Sequence, residues 1–126
     1  MLLACGGTGG HLAPGIALAQ RLTEEGHECR LIVSRKAVDA RMTAHYPRLC
    51  FVPGKGRGFG PGLVGRLLFF PALLGAVWSS WRLLREFRPS VLVCFGGFMS
   101  LAPAIACRLA GVPVLVHEAN RRPGKA

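Results

Sequence analysis

The sequence predicts an α/β fold, a parallel sheet covered by helices on both faces. Three observations predict it: short apolar runs that read as buried strands, a glycine pair directly after two of them, and apolar residues at helical spacing beyond each pair. The 126 residues fit one domain and suffice to bury a core.

Residues 2–5 are the first strand and end at Gly6. Residues 14–25 then carry Ile16, Leu18, Ala19 and Leu22 with helical spacing, Gly26 is the expected C-cap, and residues 28–33 read as a second strand. The pattern recurs later in the chain: residues 91–95 are a buried-type strand, Gly96 and Gly97 a turn, residues 100–110 a helix stopped by Gly111, and residues 113–117 another strand. Two strand–helix–strand units with nearly continuous apolar strands imply parallel pairing with both faces covered. Both glycine turns follow strand carboxyl ends, where open α/β sheets bind ligands. The loop 54–62 and a long apolar stretch separate the units. The final "HEANRRPGKA" leaves a strand for a Pro-Gly loop where a helix is expected. Residues 1–126 therefore read as one domain of a longer protein, or as half of a two-chain protein.

At 51% hydrophobic the chain is too apolar to be disordered. Sixteen Lys and Arg against six acids give a formal charge of +10, which favours anionic partners: phosphate-bearing substrates, acidic membranes or nucleic acid. Nucleic acid is set aside, because the aromatics sit mostly in apolar runs and no recognition motif is present. The five cysteines show no metal-ligand spacing, and most lie in apolar runs. With no secretory leader before the first strand, a reducing cytoplasmic compartment is expected.

The stretch "GGTGGHLAPG" leaves its backbone bare for close approach, and the helix after it directs unpaired amides and a positive dipole end at whatever binds there. Phosphate suits that environment. Walker A chemistry is excluded, since Gly15 is followed by Ile16 and Ala17 in place of Lys and Ser/Thr. The dinucleotide fingerprint fails at Leu12, and the second strand ends in Ser34-Arg35-Lys36 where NAD binding wants an acid. Arg35 and Lys36 tolerate a 2′-phosphate, so an NADP-binding domain stays as a remote alternative. The acids are Glu24, Glu25, Glu28, Asp39, Glu86 and Glu118, with no DxD pair to hold a metal on a nucleotide diphosphate. No metal and no cofactor are expected, so amides and cations must neutralise any phosphate. Glu118 alone shares the edge of the glycine turns.

"GGTGGHLAPGIALAQRL", "CFGGFMSLAPAIACRLAGVPVLVHEAN" and the trailing "PG" together resemble the N-terminal domain of the MurG family, through essentially the whole chain and in order. The resemblance implies a Rossmann-like domain, the N-terminal half of a GT-B glycosyltransferase. The family transfers N-acetylglucosamine from UDP-GlcNAc to undecaprenyl-pyrophosphoryl-N-acetylmuramoyl-pentapeptide in peptidoglycan synthesis, hence in cell shape and division. It implies an acceptor-side domain working with a complementary C-terminal domain or chain that holds most of the donor. By matching positions, Thr8, Gly9, Gly10 and Asn120 contact the donor, and His11 and Glu118 serve catalysis. Gly96, Gly97, Phe98 and Ser100 match the loop associated with the acceptor pyrophosphate. The family commonly has Tyr where Phe98 stands and Gln where Ala119 stands. A non-catalytic, membrane-attached subunit of a split glycosyltransferase is the alternative.

An inverting transfer needs a base for the acceptor hydroxyl and neutralisation of the leaving UDP. Imidazole suits a base near neutral pH, so His11, opening a helix beside the turn, is one candidate. Glu118 is the rival base or the group that orients His11. Each also has a plain structural reading: His11 bonding the loop, Glu118 pairing with Arg121 or Arg122, and Asn120 an ordinary turn residue. His27 and His45 are expected in solvent.

Between the units runs "GLVGRLLFFPALLGAVWSSWRLLREFRP". Its charge-free residues 67–81 contain Pro71 and Gly75 and read as short for a membrane span. Leu63, Leu67, Phe70, Leu74, Val77, Trp81 and Leu84 form one helical stripe, flanked by Arg66, Arg82, Arg85 and Arg88 with Lys55 and Arg57 before it. The pattern predicts a helix packed partly on the sheet and partly on an anionic bilayer surface, a peripheral attachment at the cytoplasmic side of the bacterial inner membrane.

Overall fold

The computed structural model describes residues 1–7, 9–55 and 62–117. The elements in chain order are β1 (Leu2–Ala4), α1 (Gly9–Glu24), β2 (Arg30–Val33), α2 (Ala37–Thr43), β3 (Cys50–Pro53), α3 (Gly62–Phe87), β4 (Leu92–Cys94), α4 (Phe98–Leu109) and β5 (Val114–Val116). The strands form one sheet in the order β3-β2-β1-β4-β5, and every pairing is parallel. Leu3, at the centre, lies opposite Leu31 on one side and Val93 on the other.

Strand alternation builds two cores. Leu3 and Cys5 point with Leu31, Val33 and Val93 to the face covered by Leu12, Ile16 and Ala19 of α1. Leu2 and Ala4 point with Ile32, Leu92 and Cys94 to the opposite face, covered by Leu84 of α3 and Met99, Ala106 and Cys107 of α4. Burial on both faces is why the strands read as apolar runs without alternation. The chain winds outward from β1 to β3, then crosses to β4 on the other side of β1. The switch point of the sheet therefore lies between β1 and β4, and both glycine turns flank it.

The helices start earlier than the sequence pattern predicts. α1 begins at Gly9, not at Pro14, and α4 at Phe98, not at Ser100. Proline is expected at the first helical position because its missing N–H is harmless there. Here Pro14 and Pro103 each stand at the sixth position, leaving one early carbonyl without its helical donor. The two helices share a local repeat, "LAPGIA" at residues 12–17 and "LAPAIA" at residues 101–106.

α2 and β3 carry little sequence signal. α2 has seven residues, and β3 is a half-exposed edge strand that ends in Pro53, where a missing ladder donor is tolerated. α3 runs unbroken through Pro71 and Gly75. Its Leu67–Phe87 segment, which adds Arg82, Arg85 and Glu86 to the charge-free residues 67–81, is long and apolar enough to cross a membrane by length and composition alone. Its C-terminal half is part of this domain, however: Leu84 is buried, and Val77, Trp81, Leu83 and Phe87 pack on the same core.

Candidate functional site

The first glycine turn leaves β1 under tight constraint. The amides of Cys5 and Gly6 both donate to the Ile32 carbonyl at 3.2 Å. A Cβ at Gly6 would stand 2.4 Å from the Ser34 nitrogen and 2.6 Å from the Val33 Cα, so only glycine lets the turn pass over β2. The Gly7 amide donates to Asp39 Oδ2 at 2.8 Å. The same oxygen accepts from the Ser34 amide at 2.9 Å and the Ser34 hydroxyl at 2.6 Å. The Lys36 ammonium donates to the Gly7 carbonyl at 3.1 Å.

Asp39 is fully buried, and its Oδ1 has no hydrogen-bond partner. Three donors on Oδ2 compensate the buried charge. The Gly6 and Gly7 amides thus belong to the fold. A helix directs its first-turn amides past its N-terminus, so an anion at this edge meets the start of α1, where no acid stands in the first turn. Asp39 was missed by sequence reasoning. It is the only aspartate in the chain, which was the available signal, but its partner Gly7 lies 32 positions away.

The second turn is built differently. The Phe95 amide donates to the Ala4 carbonyl at 2.9 Å, and Gly96 and Gly97 follow with φ of 90° and 73°. Gly97 caps α4 without any side-chain bond to the helix. Ser100 is buried, and its hydroxyl reaches the Gly96 carbonyl at 2.9 Å and the Ala4 carbonyl at 3.2 Å. The Ser100 side chain therefore ties the second turn to β1.

His11 joins the two turns. A Cβ on Gly96 would lie 3.3 Å from His11 Nε2, and one on Gly97 would lie 3.4 Å from Cε1 and 3.5 Å from Nδ1. The imidazole, carried by α1, thus lies along the second turn, and the bare glycines are what admit it. Gly10 is exposed beside it and Phe98 is half-buried. His117, at the end of β5, donates its amide to the Cys94 carbonyl at 2.8 Å, with its ring 5.4 Å from that of Phe95. Thr8, Glu118 and Asn120 lie outside the described residues. His27 and His45 are exposed, as expected.

The thiols next to the turns are held in their protonated form. Burial, with a smaller push from the Asp39 carboxylate, raises the Cys5 thiol to about 12, and burial raises Cys94 to about 11. Among the described residues no three His, Cys, Asp or Glu side chains are grouped to hold a metal ion. The arrangement offers two helix N-termini, one imidazole between them, and neutral thiols behind.

On α3 the predicted apolar stripe divides along its length. Leu67, Phe70 and Leu74 are exposed, at 64–71%, Val77 and Trp81 are half-buried, and Leu84 is buried. The stripe changes environment because only the C-terminal part of the helix, Val77, Trp81, Leu83, Leu84 and Phe87, packs on the sheet core. Arg82, Arg85 and Arg88 are exposed near its C-terminal end.

The profile of the glycosyltransferase family 28 N-terminal domain matches residues 1–126. A protein of Opitutus terrae named UDP-N-acetylglucosamine--N-acetylmuramyl-(pentapeptide) pyrophosphoryl-undecaprenol N-acetylglucosamine transferase is 50% identical over 125 residues, which cover 99% of this chain and 33% of that protein. A protein of the same name from Syntrophotalea carbinolica is 38% identical over 135 residues, covering 98% and 35%. The crystal structure of Acinetobacter baumannii MurG superposes with a TM-score of 0.79 at 25% identity, covering 98% of this chain and 36% of that one. The glycosyltransferase SnogD from Streptomyces nogalater matches at a TM-score of 0.52 and 21% identity, covering 97% and 43%, a likeness of fold alone. The chain spans about a third of the length of the curated relatives it matches. The fold is thus the Rossmann-like N-terminal half of a GT-B glycosyltransferase, and the chain belongs to glycosyltransferase family 28.

Proposed function

We propose that this chain is the acceptor-side domain of an inverting N-acetylglucosaminyl transferase of peptidoglycan synthesis. The donor is UDP-GlcNAc and the acceptor an undecaprenyl-pyrophosphoryl-N-acetylmuramoyl-pentapeptide. The observation that carries the reading is the His11 imidazole seated on the Gly96–Gly97 turn, with the N-termini of α1 and α4 on either side. The names borne by the relatives supply the substrates.

In this reading the acceptor hydroxyl oxygen bonds to the anomeric carbon as the bond from that carbon to the UDP oxygen breaks. The hydroxyl proton passes to His11 or to Glu118, and the bond's electron pair leaves with UDP. Amides that open α1 stabilise that charge from the donor's far side, with Thr8, Gly9, Gly10 and Asn120 as the donor contacts. Gly96, Gly97 and Phe98 receive the acceptor pyrophosphate at the start of α4, and Ser100 holds that turn in shape. Most donor contacts come from a domain or chain beyond this one, so residues 1–126 alone are expected to transfer no sugar.

The exposed apolar face of α3, with arginines at its end, supports peripheral attachment to an anionic bilayer at the cytoplasmic face. A lipid-linked acceptor makes that placement useful. The test uses the full-length protein, labelled UDP-GlcNAc and authentic lipid-linked acceptor. Transfer is expected, and His11→Gln should lower kcat by about 10²–10⁴ while the melting temperature holds. A wild-type protein that transfers nothing to that acceptor overturns the reading.

A further inference from the structure

A cavity of about 430 Å³ opens at the carboxyl ends of β2 and β3, lined by Ser34, Arg35, Lys36, Gly54, Lys55 and Met99. Two of these residues connect it to the glycine-turn site. Lys36 bonds the Gly7 carbonyl, and the Met99 side chain lies where a Cβ on Gly7 would be 3.5 Å away. Three of the six lining residues are cations, and none is an acid. No ion pair among the described residues engages Arg35, Lys36 or Lys55. The Asp39 carboxylate bonded to Ser34 is buried, with three donors on its Oδ2, and offsets at most one of the three cations. The net positive charge around this concavity attracts an anionic group.

The volume and lining narrow the class of anion. The space is of small-molecule size, far larger than one phosphate group needs. The Arg35 guanidinium offers a planar fork that matches a carboxylate, and Met99 offers an adaptable apolar wall for an aliphatic side chain. The acceptor named for the relatives carries a pentapeptide and a pyrophosphoryl group on the same sugar, so the sites for the two must adjoin. The helix N-termini serve the pyrophosphate, which leaves the peptide to be placed. We propose that this pocket receives the acceptor's peptide, its carboxylate groups pairing with Arg35 and Lys55 and its aliphatic side chains lying on Met99. The inference rests on the function proposed above.

The test uses the full-length protein carrying Arg35→Gln and Lys55→Gln together. Both residues are exposed, and Lys36 is kept because it holds Gly7. KM is measured for acceptor with free peptide carboxylates and for the same acceptor with those groups as amides. Wild-type KM should rise about tenfold on amidation, the double variant should start about tenfold high, and amidation should then change nothing further. KM for UDP-GlcNAc and kcat should hold. A variant equally impaired with both acceptors assigns the cations to the pyrophosphate and overturns the proposal, as does a variant indistinguishable from wild type. If wild-type protein transfers no sugar, the functional reading fails by itself. A titration with a free acidic peptide, followed by NMR, then judges the pocket separately. Shifts at Arg35 and Lys55 that vanish in the variant sustain it, and their absence overturns it.

Discussion

The two glycine turns come from similar sequence, a glycine pair followed by a helix with the same Leu-Ala-Pro repeat, yet they are held in different ways. The first is clamped from outside by Asp39, Ser34 and Lys36, which reach it from the β2–α2 segment. The second is fastened by Ser100 from its own helix and covered by His11 from the other unit. The first turn is therefore part of the scaffold, while the second is a platform whose covering group the first positions. A change in the clamp should reach both turns; a change in the platform should stay local.

Replacing glycines tests that asymmetry most strongly. Gly6→Ala puts a methyl group into the backbone of Val33 and Ser34, which cannot move without parting β1 from β2. The expected outcome is a loss of about 4 kcal/mol or more in urea unfolding, or no folded protein. Gly97→Ala faces a φ of 73° and a His11 ring 3.4 Å away, and a ring can shift. A loss of about 1–2 kcal/mol is expected, with the fold retained. Equal losses would remove the distinction between scaffold and platform.

The side chains that hold the turns rank next. Asp39→Ala leaves the Gly7 and Ser34 amides without their acceptor and should destabilise by about 2–4 kcal/mol. Ser100→Ala removes a single hydroxyl from the carbonyls of Gly96 in the turn and Ala4 in β1, and about 1 kcal/mol is expected. The crossed readout is the environment of His11, followed by the NMR shifts of its ring protons. Both variants should perturb it if the turns act as one unit. Movement in Ser100→Ala alone would mean that the clamp does not reach the platform.

How much of this was legible follows from which interactions are local. Buried parallel strands are apolar on both faces, so β1, β2, β4 and β5 stood out between their glycines. His11 stood out because it follows a bare loop and opens a helix. Its seat on Gly96 and Gly97 was not legible, since the contact spans 85 positions or more and depends on β1 pairing with β4. Asp39 was hidden for the same reason. Pro14 misplaced the start of α1 because proline was read as a first-turn residue, the start of α4 was set two residues late at Ser100, and α2 and β3 were too short and too exposed for periodicity to show. The α3 stripe was visible, but which of its members meet the core depends on where the helix packs on the sheet.

The smallest expected effect lies in the thiols behind the turns. Cys5 follows β1 and Cys94 ends β4, and both are buried. Burial raises Cys5 to about 12 and Cys94 to about 11 from an ordinary 9.0, and the Asp39 carboxylate adds to the rise at Cys5 alone. In the unfolded chain each thiol loses its proton near pH 9, whereas in the folded chain it keeps it to higher pH. Between those values the unfolded state binds fewer protons, so stability falls with rising pH. The contribution is complete below about pH 9 and is lost as the pH climbs through the folded values. Urea unfolding at a series of alkaline pH values should show this decline, and Cys5→Ala should make it shallower than Cys94→Ala does. Asp39→Asn should bring the Cys5 contribution closer to that of Cys94, because the charge is gone while burial remains. A decline unchanged by Cys5→Ala would show that the thiol behind the first turn is not what titrates, and would sever it from the clamp beside it.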